Sequence, residues 1–170
     1  MTVNTKQSER REIELRTLED ISAELDKIQA AHDAGALSAT GNWAPGQILE
    51  HVAKLMECAM DGFPGGAPAP VRWIITLLFK KKALRGGAPP AGFKIPKGAD
   101  FLAPGEDTSF EQGMSRLRAI IARAQNGERF THDSPIFGKL THEQWITLNA
   151  GHATLHLSFL RLDTPPGETP

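Results

Sequence analysis

The sequence predicts an all-α fold, an antiparallel four-helix bundle with a long Gly/Pro-rich loop between its middle helices. Apolar residues recur at intervals of three and four in several segments, as they do on the buried face of a helix. No segment shows the strict apolar–polar alternation that is typical of a strand. At 170 residues the chain is expected to form one domain, spanning residues 1–163, followed by a disordered tail at 164–170.

The first two predicted helices each carry a start signal and an apolar stripe. Thr17 suits the N-cap of a helix over residues 17–33, with Asp20 three positions later. Pro45 suits the first turn of a second helix, because the N–H that proline lacks has no partner there. The stripes are Leu18, Ile21, Leu25 and Ile28 in the first helix, and Ile48, Val52, Leu55, Ala59 and Phe63 in the second.

Two more helical segments and a long loop precede the last helix. A short helix is predicted over residues 71–83, and another segment with one apolar side runs over 108–125. The loop between them, residues 86–107, has no apolar period, and a loop of this length often covers a site. The last helix begins at Thr141, where Gln144 completes a capping box. Its stripe contains Trp145, Leu148, His152, Leu155, Phe159 and Leu162.

Two histidines interrupt the apolar stripe of the last helix. His152 occupies a position where leucine is expected, and His156 follows one turn later on the same side. Since residues four apart on a helix have Cβ atoms about 5–6 Å apart, both imidazoles can reach one metal ion. His51, on the flank of the second helix's core stripe, offers a third nitrogen. Three histidines with an open fourth position are typical of catalytic rather than structural zinc.

A simpler interpretation is that these histidines are core residues with ordinary hydrogen-bond partners. The glutamate of the H-E-x-x-H motif is absent, because residue 153 is alanine, which counts against peptide hydrolysis. The lone cysteine, Cys58, is predicted to be an inert core thiol. The other histidines are poorer candidates for a site: His32 at the end of the first helix, His132 in a loop, and His142 ten residues before His152.

The charge balance excludes a broad nucleic-acid surface. The chain carries 19 basic and 20 acidic residues, a net charge of −1. The local exception is "FKKKALR", residues 79–85, which is either a helix end whose lysines complement the dipole or a patch for anions or a membrane surface. A single cysteine and a polar N-terminal segment indicate a reducing, intracellular setting. A cytoplasmic protein without nucleic-acid or membrane partners is therefore expected.

Two segments, "GNWAPGQILEHVAKL" and "GHATLHLSFL", resemble the DinB/YfiT-like superfamily of four-helix bundles, and more closely a bacterial family of uncharacterised proteins within it. The similarity extends over nearly the whole chain, through "ERRE", "DGFP", "GFKIPKG" and "SPIFGKLTHEQW". The superfamily carries a histidine triad, which falls here on His51, His152 and His156. The close family usually has a His-Pro step before the last helix. This chain has "HDSPIFG" instead, so the resemblance gives no support to a role for His132.

The resemblance implies a divalent metal ion, zinc or nickel, bound by the three histidines. It also implies a small-molecule substrate, possible pairing as a homodimer, and a low-molecular-weight thiol as cosubstrate of an S-transferase; a hydrolase is the other enzyme considered. The catalytic residues are unknown. In this interpretation the "GGAPPAGFKIPKG" loop, residues 86–98, covers the site and selects the substrate, and Trp43, Trp145 and Phe137 either line the walls of the site or belong to the core. The alternative is a non-catalytic binding or dimerisation module with a structural or vestigial metal site.

Overall fold

A computed structural model describes residues 3–65, 69–92, 95 and 99–163, and of residues 69–75 it describes the backbone. The predicted tail at 164–170 and part of the predicted loop lie outside these residues. The described elements are α1 (Leu18–Asp33), β1 (Leu37–Ala39), α2 (Pro45–Asp61), α3 (Ala69–Ala83), a 3-10 turn (Asp100–Leu102), α4 (Phe110–Gln125), α5 (His142–Leu157) and β2 (Leu160–Leu162). The mostly helical character is confirmed, with five α-helices and a small two-stranded sheet in the described part of the chain.

Local capping signals account for where α1 and α5 begin. Thr17 Oγ1 accepts a hydrogen bond from the amide of Asp20, and the Asp20 carboxylate accepts one from the amide of Thr17. Thr141 and Gln144 form the same reciprocal pair at the start of α5. Each pair satisfies two amides that have no partner within the helix, so both predicted boundaries are confirmed.

The expectation that the chain forms no strand is wrong at two short segments. Leu37–Ala39 pairs antiparallel with Leu160–Leu162, so α5 ends at Leu157 and the last residue of its predicted stripe belongs to β2. Three residues are too few for alternation to identify a strand. The pairing partners are also more than 120 positions apart in the sequence. The ladder therefore depends on tertiary contacts that a local pattern does not contain.

The core lies where α2 packs against α4 and α5. Helix α1 completes it through contacts to both α4 and α5. Glycines allow α2 and α4 to approach closely. A Cβ atom on Gly46 would overlap the carbonyl of Ser109, and one on Gly113 would overlap the carbonyl of Gly46. A polar network joins the same two helices: Arg116 donates to Glu50 at 2.8 Å and to Glu57 at 2.6 Å. These contacts hold the turn of α2 that carries His51.

The segment before α1 is hydrogen-bonded to the C-terminal end of α5. Arg11 donates to Glu24 Oε1 at 2.6 Å, to the carbonyl of Leu157 at 3.1 Å and to the carbonyl of Leu160. A guanidinium suits this place, because the last carbonyls of a helix have no partner within it. The Glu24 side chain is only 4% exposed, so Arg11 also neutralises a buried carboxylate.

The described side chains of helix α3, at residues 76–83, are exposed or half-buried. Among its described side chains, Thr76 donates to the carbonyl of Ile136 at 3.0 Å, and Lys80 donates to the carbonyls of Phe137 and Lys139 at 3.1 and 2.8 Å. The lysines of "FKKKALR" occupy the last turn of α3, as the helix-end interpretation expects. Three consecutive apolar side chains just before them are exposed: Leu77 (68%), Leu78 (63%) and Phe79 (53%). None of the described helices is long and apolar enough to cross a membrane.

Candidate metal centre

Three histidines from two helices converge between α2 and α5. His51 comes from the second turn of α2, and His152 and His156 come from consecutive turns of α5. One ring nitrogen from each lies within 4.8 Å of the others, and the Nε2 atoms of His152 and His51 are 3.2 Å apart. In the part of the chain that the structure describes, no other group of three potential ligands comes this close. The three residues predicted from periodicity are the three that meet.

The spacing of these nitrogens fits a single bound ion. Two imidazole nitrogens at about 2.0–2.1 Å from a tetrahedral zinc ion would be roughly 3.3 Å apart. The separation of 3.2 Å between the nitrogens of His51 and His152 is close to that value. The ring centroids of the three pairs lie 4.4 to 4.9 Å apart, and the rings are tilted by 53° to 72°, so they do not stack. One nitrogen from each ring lies within 4.8 Å of the others, which is close enough for the three residues to share one ion.

Burial keeps the three imidazoles in the neutral form that metal binding requires. His51 is 5% exposed, and His152 and His156 are half-buried. Burial, reinforced by the neighbouring imidazoles, lowers the pKa of His156 to about 3 and that of His152 well below its usual value. Burial also lowers the pKa of His51, although the hydrogen bond to Leu102 opposes this shift. A neutral imidazole has a lone pair on one of its two ring nitrogens, so no imidazolium proton has to be released when an ion binds at pH 7.

A backbone carbonyl sets the proton position on His51. His51 Nδ1 lies 2.7 Å from the carbonyl oxygen of Leu102 in the 3-10 turn. Because a carbonyl only accepts, His51 must carry its proton on Nδ1 and direct the Nε2 lone pair toward the other two histidines. Lys54, one turn further along α2, donates to the neighbouring carbonyl of Ala103 at 2.6 Å. The end of the predicted 86–107 loop therefore contacts α2 beside the site.

Of the predicted wall residues, Trp43 contacts the site. Its ring centroid lies 4.7 Å from that of His51 and 5.7 Å from that of His156. Trp145 belongs to the core instead: its indole donates to the carbonyl of His132 at 3.0 Å, and its ring stacks on Phe63 at 5.8 Å. Phe137 lies in the turn closed by Ser134 and Gly138, where its carbonyl accepts from Lys80.

The remaining histidines and the cysteine have other surroundings. His142 Nδ1 accepts from the amide of Phe130 at 3.0 Å. His32, at the end of α1, stacks on Phe110 at a centroid distance of 3.7 Å. His132 packs against Gly62 at the far end of α2, about 16 Å along the helix from His51. Cys58 is half-buried, and burial raises the pKa of its thiol, in keeping with an unreactive residue.

Two polar groups beside the histidines were not predicted from the sequence. The carbonyl of Leu102 carries no sequence signal, because any residue supplies a carbonyl. Asn149 did carry a sequence signal. It precedes His152 by three positions and His156 by seven, which places it on the same face of α5 as the two histidines. Its side chain is fully buried, and neither atom of its amide has a hydrogen-bond partner among the described residues.

Fold and site together define a mostly helical protein whose two central helices present three histidines placed to hold a metal ion. The chain belongs to a family described as "protein of unknown function (DUF1569)", whose model matches residues 7–163. No curated protein and no solved structure matches the chain.

Proposed function

We propose that the chain is a DinB-like four-helix bundle that binds one divalent metal ion through His51, His152 and His156 and uses it to catalyse a reaction of a small molecule. The observation that carries the proposal is the convergence of three neutral ring nitrogens within 4.8 Å. Zinc is the default ion and nickel the alternative, because imidazole nitrogen suits both. The four proposed bundle helices are α1 and α2, which each contact both α4 and α5, together with α4 and α5 themselves.

The donor set favours a catalytic centre over a structural one. Structural zinc sites usually have four protein ligands, whereas catalytic sites have three and leave a position for substrate or water. When bound, such an ion lowers the pKa of a coordinated thiol or water, which supplies a nucleophile at neutral pH. The proposed reaction is therefore transfer of a low-molecular-weight thiol to a small electrophile, or hydrolysis of a small molecule.

The residues of the chain itself orient and shield this centre. Leu102 fixes the proton of His51, and Trp43 covers one side of the imidazoles. Residue 153, where the metalloprotease motif has its glutamate, is a fully buried alanine. Since the glutamate that serves as the base in metalloproteases is missing at that position, peptide hydrolysis by their mechanism is disfavoured.

The test is the metal content of untagged protein, measured by elemental mass spectrometry. Wild type is expected to hold about one equivalent of zinc or nickel and His152→Ala to hold much less. The matched control is His142→Ala, which removes another histidine from the same helix. No metal in wild type after reconstitution would refute the proposal. If metal is bound, consumption of free thiol with a panel of small electrophiles is expected to depend on His152.

A second candidate function, a binding or dimerisation module, is favoured by the exposed apolar run on α3. The occupant we propose for this surface is a second copy of the chain. Residues 62–99 contain seven basic and no acidic residues, while the rest of the chain is net acidic, so two copies have complementary charges. Leu78→Asp is then expected to convert dimers to monomers in light scattering, whereas Ala119→Asp, on the exposed side of α4, is not. A monomeric wild type would exclude dimerisation through this surface.

A further inference from the structure

Two buried polar groups on one face of α5 lack partners among the described residues. They are the side-chain amide of Asn149, which is 0% exposed, and the Nδ1 atom of His152. Leaving a buried donor or acceptor without a hydrogen bond is costly, and native proteins rarely do so without a reason. Elsewhere on α5 the chain avoids this cost: Thr154 donates to the carbonyl of Ala150 at 2.9 Å and accepts from the amide of Leu15 at 3.0 Å.

The two unpartnered groups are neighbours by helix geometry. Positions three apart on a helix have Cβ atoms about 5–6 Å apart and lie on one face. Helical side chains also lean toward the N-terminus, so the His152 ring leans over the turn that carries Asn149. Neither group has a hydrogen-bond partner among the described residues, so a bond between them requires a change of side-chain torsion at one or both residues.

The chemistry of the two groups is complementary once His152 binds a metal. Its Nε2 atom faces His51 and is the atom placed to bind the ion. A neutral imidazole that uses Nε2 as a ligand carries its proton on Nδ1, and that proton needs an acceptor. His51 already has its acceptor in the carbonyl of Leu102. Asn149 Oδ1 is an acceptor without a donor, and it lies one turn from His152 Nδ1.

We infer that Asn149 is a positioning residue for the metal centre. Its Oδ1 atom accepts the Nδ1 proton of His152 in the metal-loaded protein, which fixes the tautomer and orientation of that ring. The inference rests on the proposed metal site. It adds to that site a buried side chain that touches neither metal nor substrate and acts only through His152.

The experiment measures zinc affinity by competition with a chromophoric chelator in wild type and three variants. Asn149→Leu keeps the side-chain size and removes the acceptor, so zinc affinity is expected to fall roughly 10–100-fold. Asn149→Asp restores an acceptor and is expected to bind zinc at least as tightly as wild type. Thr154→Val, which removes a satisfied hydroxyl from another face of α5, is expected to leave zinc affinity within about twofold.

Two further measurements separate a positioning role from a structural one. The metal-free Asn149→Leu protein is expected to unfold at a denaturant concentration no lower than wild type, because a buried amide without partners has been removed. In zinc-loaded protein with ¹⁵N-labelled histidine, the Nδ1 proton of His152 is expected to exchange slowly in wild type and rapidly in Asn149→Leu.

Unchanged zinc affinity in Asn149→Leu, or no recovery in Asn149→Asp, would overturn the inference and leave the metal site standing. If Asn149→Leu does not fold, the Asp variant and the exchange rate of the wild-type proton still decide the question. Failure of wild type to bind zinc would overturn the proposed site and the positioning role together.

Discussion

Metal-free protein is expected to lose stability between pH 7 and pH 5, because three histidines are held neutral in the folded state. Burial and the neighbouring imidazole lower the pKa of His156 to about 3, whereas an unfolded histidine titrates near 6.5. The unfolded chain therefore takes up the proton first as the pH falls. The contribution of the neutral His156 side chain to the free energy of unfolding is complete above pH 6.5. It is lost progressively as the pH approaches 3.

The magnitude for His156 alone is about 1.9 kcal/mol between pH 7 and pH 5, from the proton uptake of an unfolded histidine over that range. His51 and His152 add to it with the same sign, because burial lowers their pKa values too. The Glu50 carboxyl affects stability in a different pH range. Burial would raise the pKa of its carboxyl, but hydrogen bonds from Thr108 and Gly105 lower it to about 2, so its contribution changes only below about pH 4.5.

The assay is urea unfolding at pH 7, 6 and 5 in the presence of a chelator. In His156→Leu the fall in unfolding free energy between pH 7 and 5 is expected to be smaller than in wild type by about 1.9 kcal/mol. His132→Ala, which removes an imidazole from the surface, controls for the loss of a histidine as such. Parallel curves for wild type and His156→Leu would refute the assignment of a neutral, buried imidazole. Saturating zinc is expected to stabilise wild type at pH 7 and to bind more weakly at pH 5.

Three further substitutions test the packing of the helices and the candidate metal site. Gly46→Ala is expected to destabilise the protein by about 1–3 kcal/mol in denaturant unfolding, although alanine favours helices, because its Cβ would overlap the carbonyls of Thr108 and Ser109 just before α4. A stabilised variant would contradict the close packing of α2 and α4. Arg11→Met is expected to cost about 2–4 kcal/mol, since it leaves the buried Glu24 carboxylate with only the exposed Lys27, whose ammonium lies 3.6 Å away, and Glu24→Gln should recover part of that loss. Trp43→Phe is expected to remove most of the fluorescence change on nickel addition, and an unchanged response would place the ion elsewhere.

The sequence predicts the features that depend on near neighbours in the chain. The capping pairs at Thr17 and Thr141 operate over three residues, and both are formed as expected. The apolar stripes identified the helices, because a 3.6-residue period directs those residues to one side wherever the helix packs. The pairing of Leu37–Ala39 with Leu160–Leu162 was missed for the opposite reason: its partners meet only after the helices between them have packed.

The same distinction between features set by near neighbours and features set by tertiary packing applies to the candidate metal site. The spacing of His152 and His156, and the inward position of His51, are set by helix periodicity, so sequence alone identified three candidate ligands. That their nitrogens lie within 4.8 Å depends on the packing of α2 against α5. The carbonyl of Leu102 and the unpartnered amide of Asn149 became visible only in the structure. Periodicity assigns a residue to a face of its helix, but hydrogen bonding and burial depend on what the rest of the chain brings to that face.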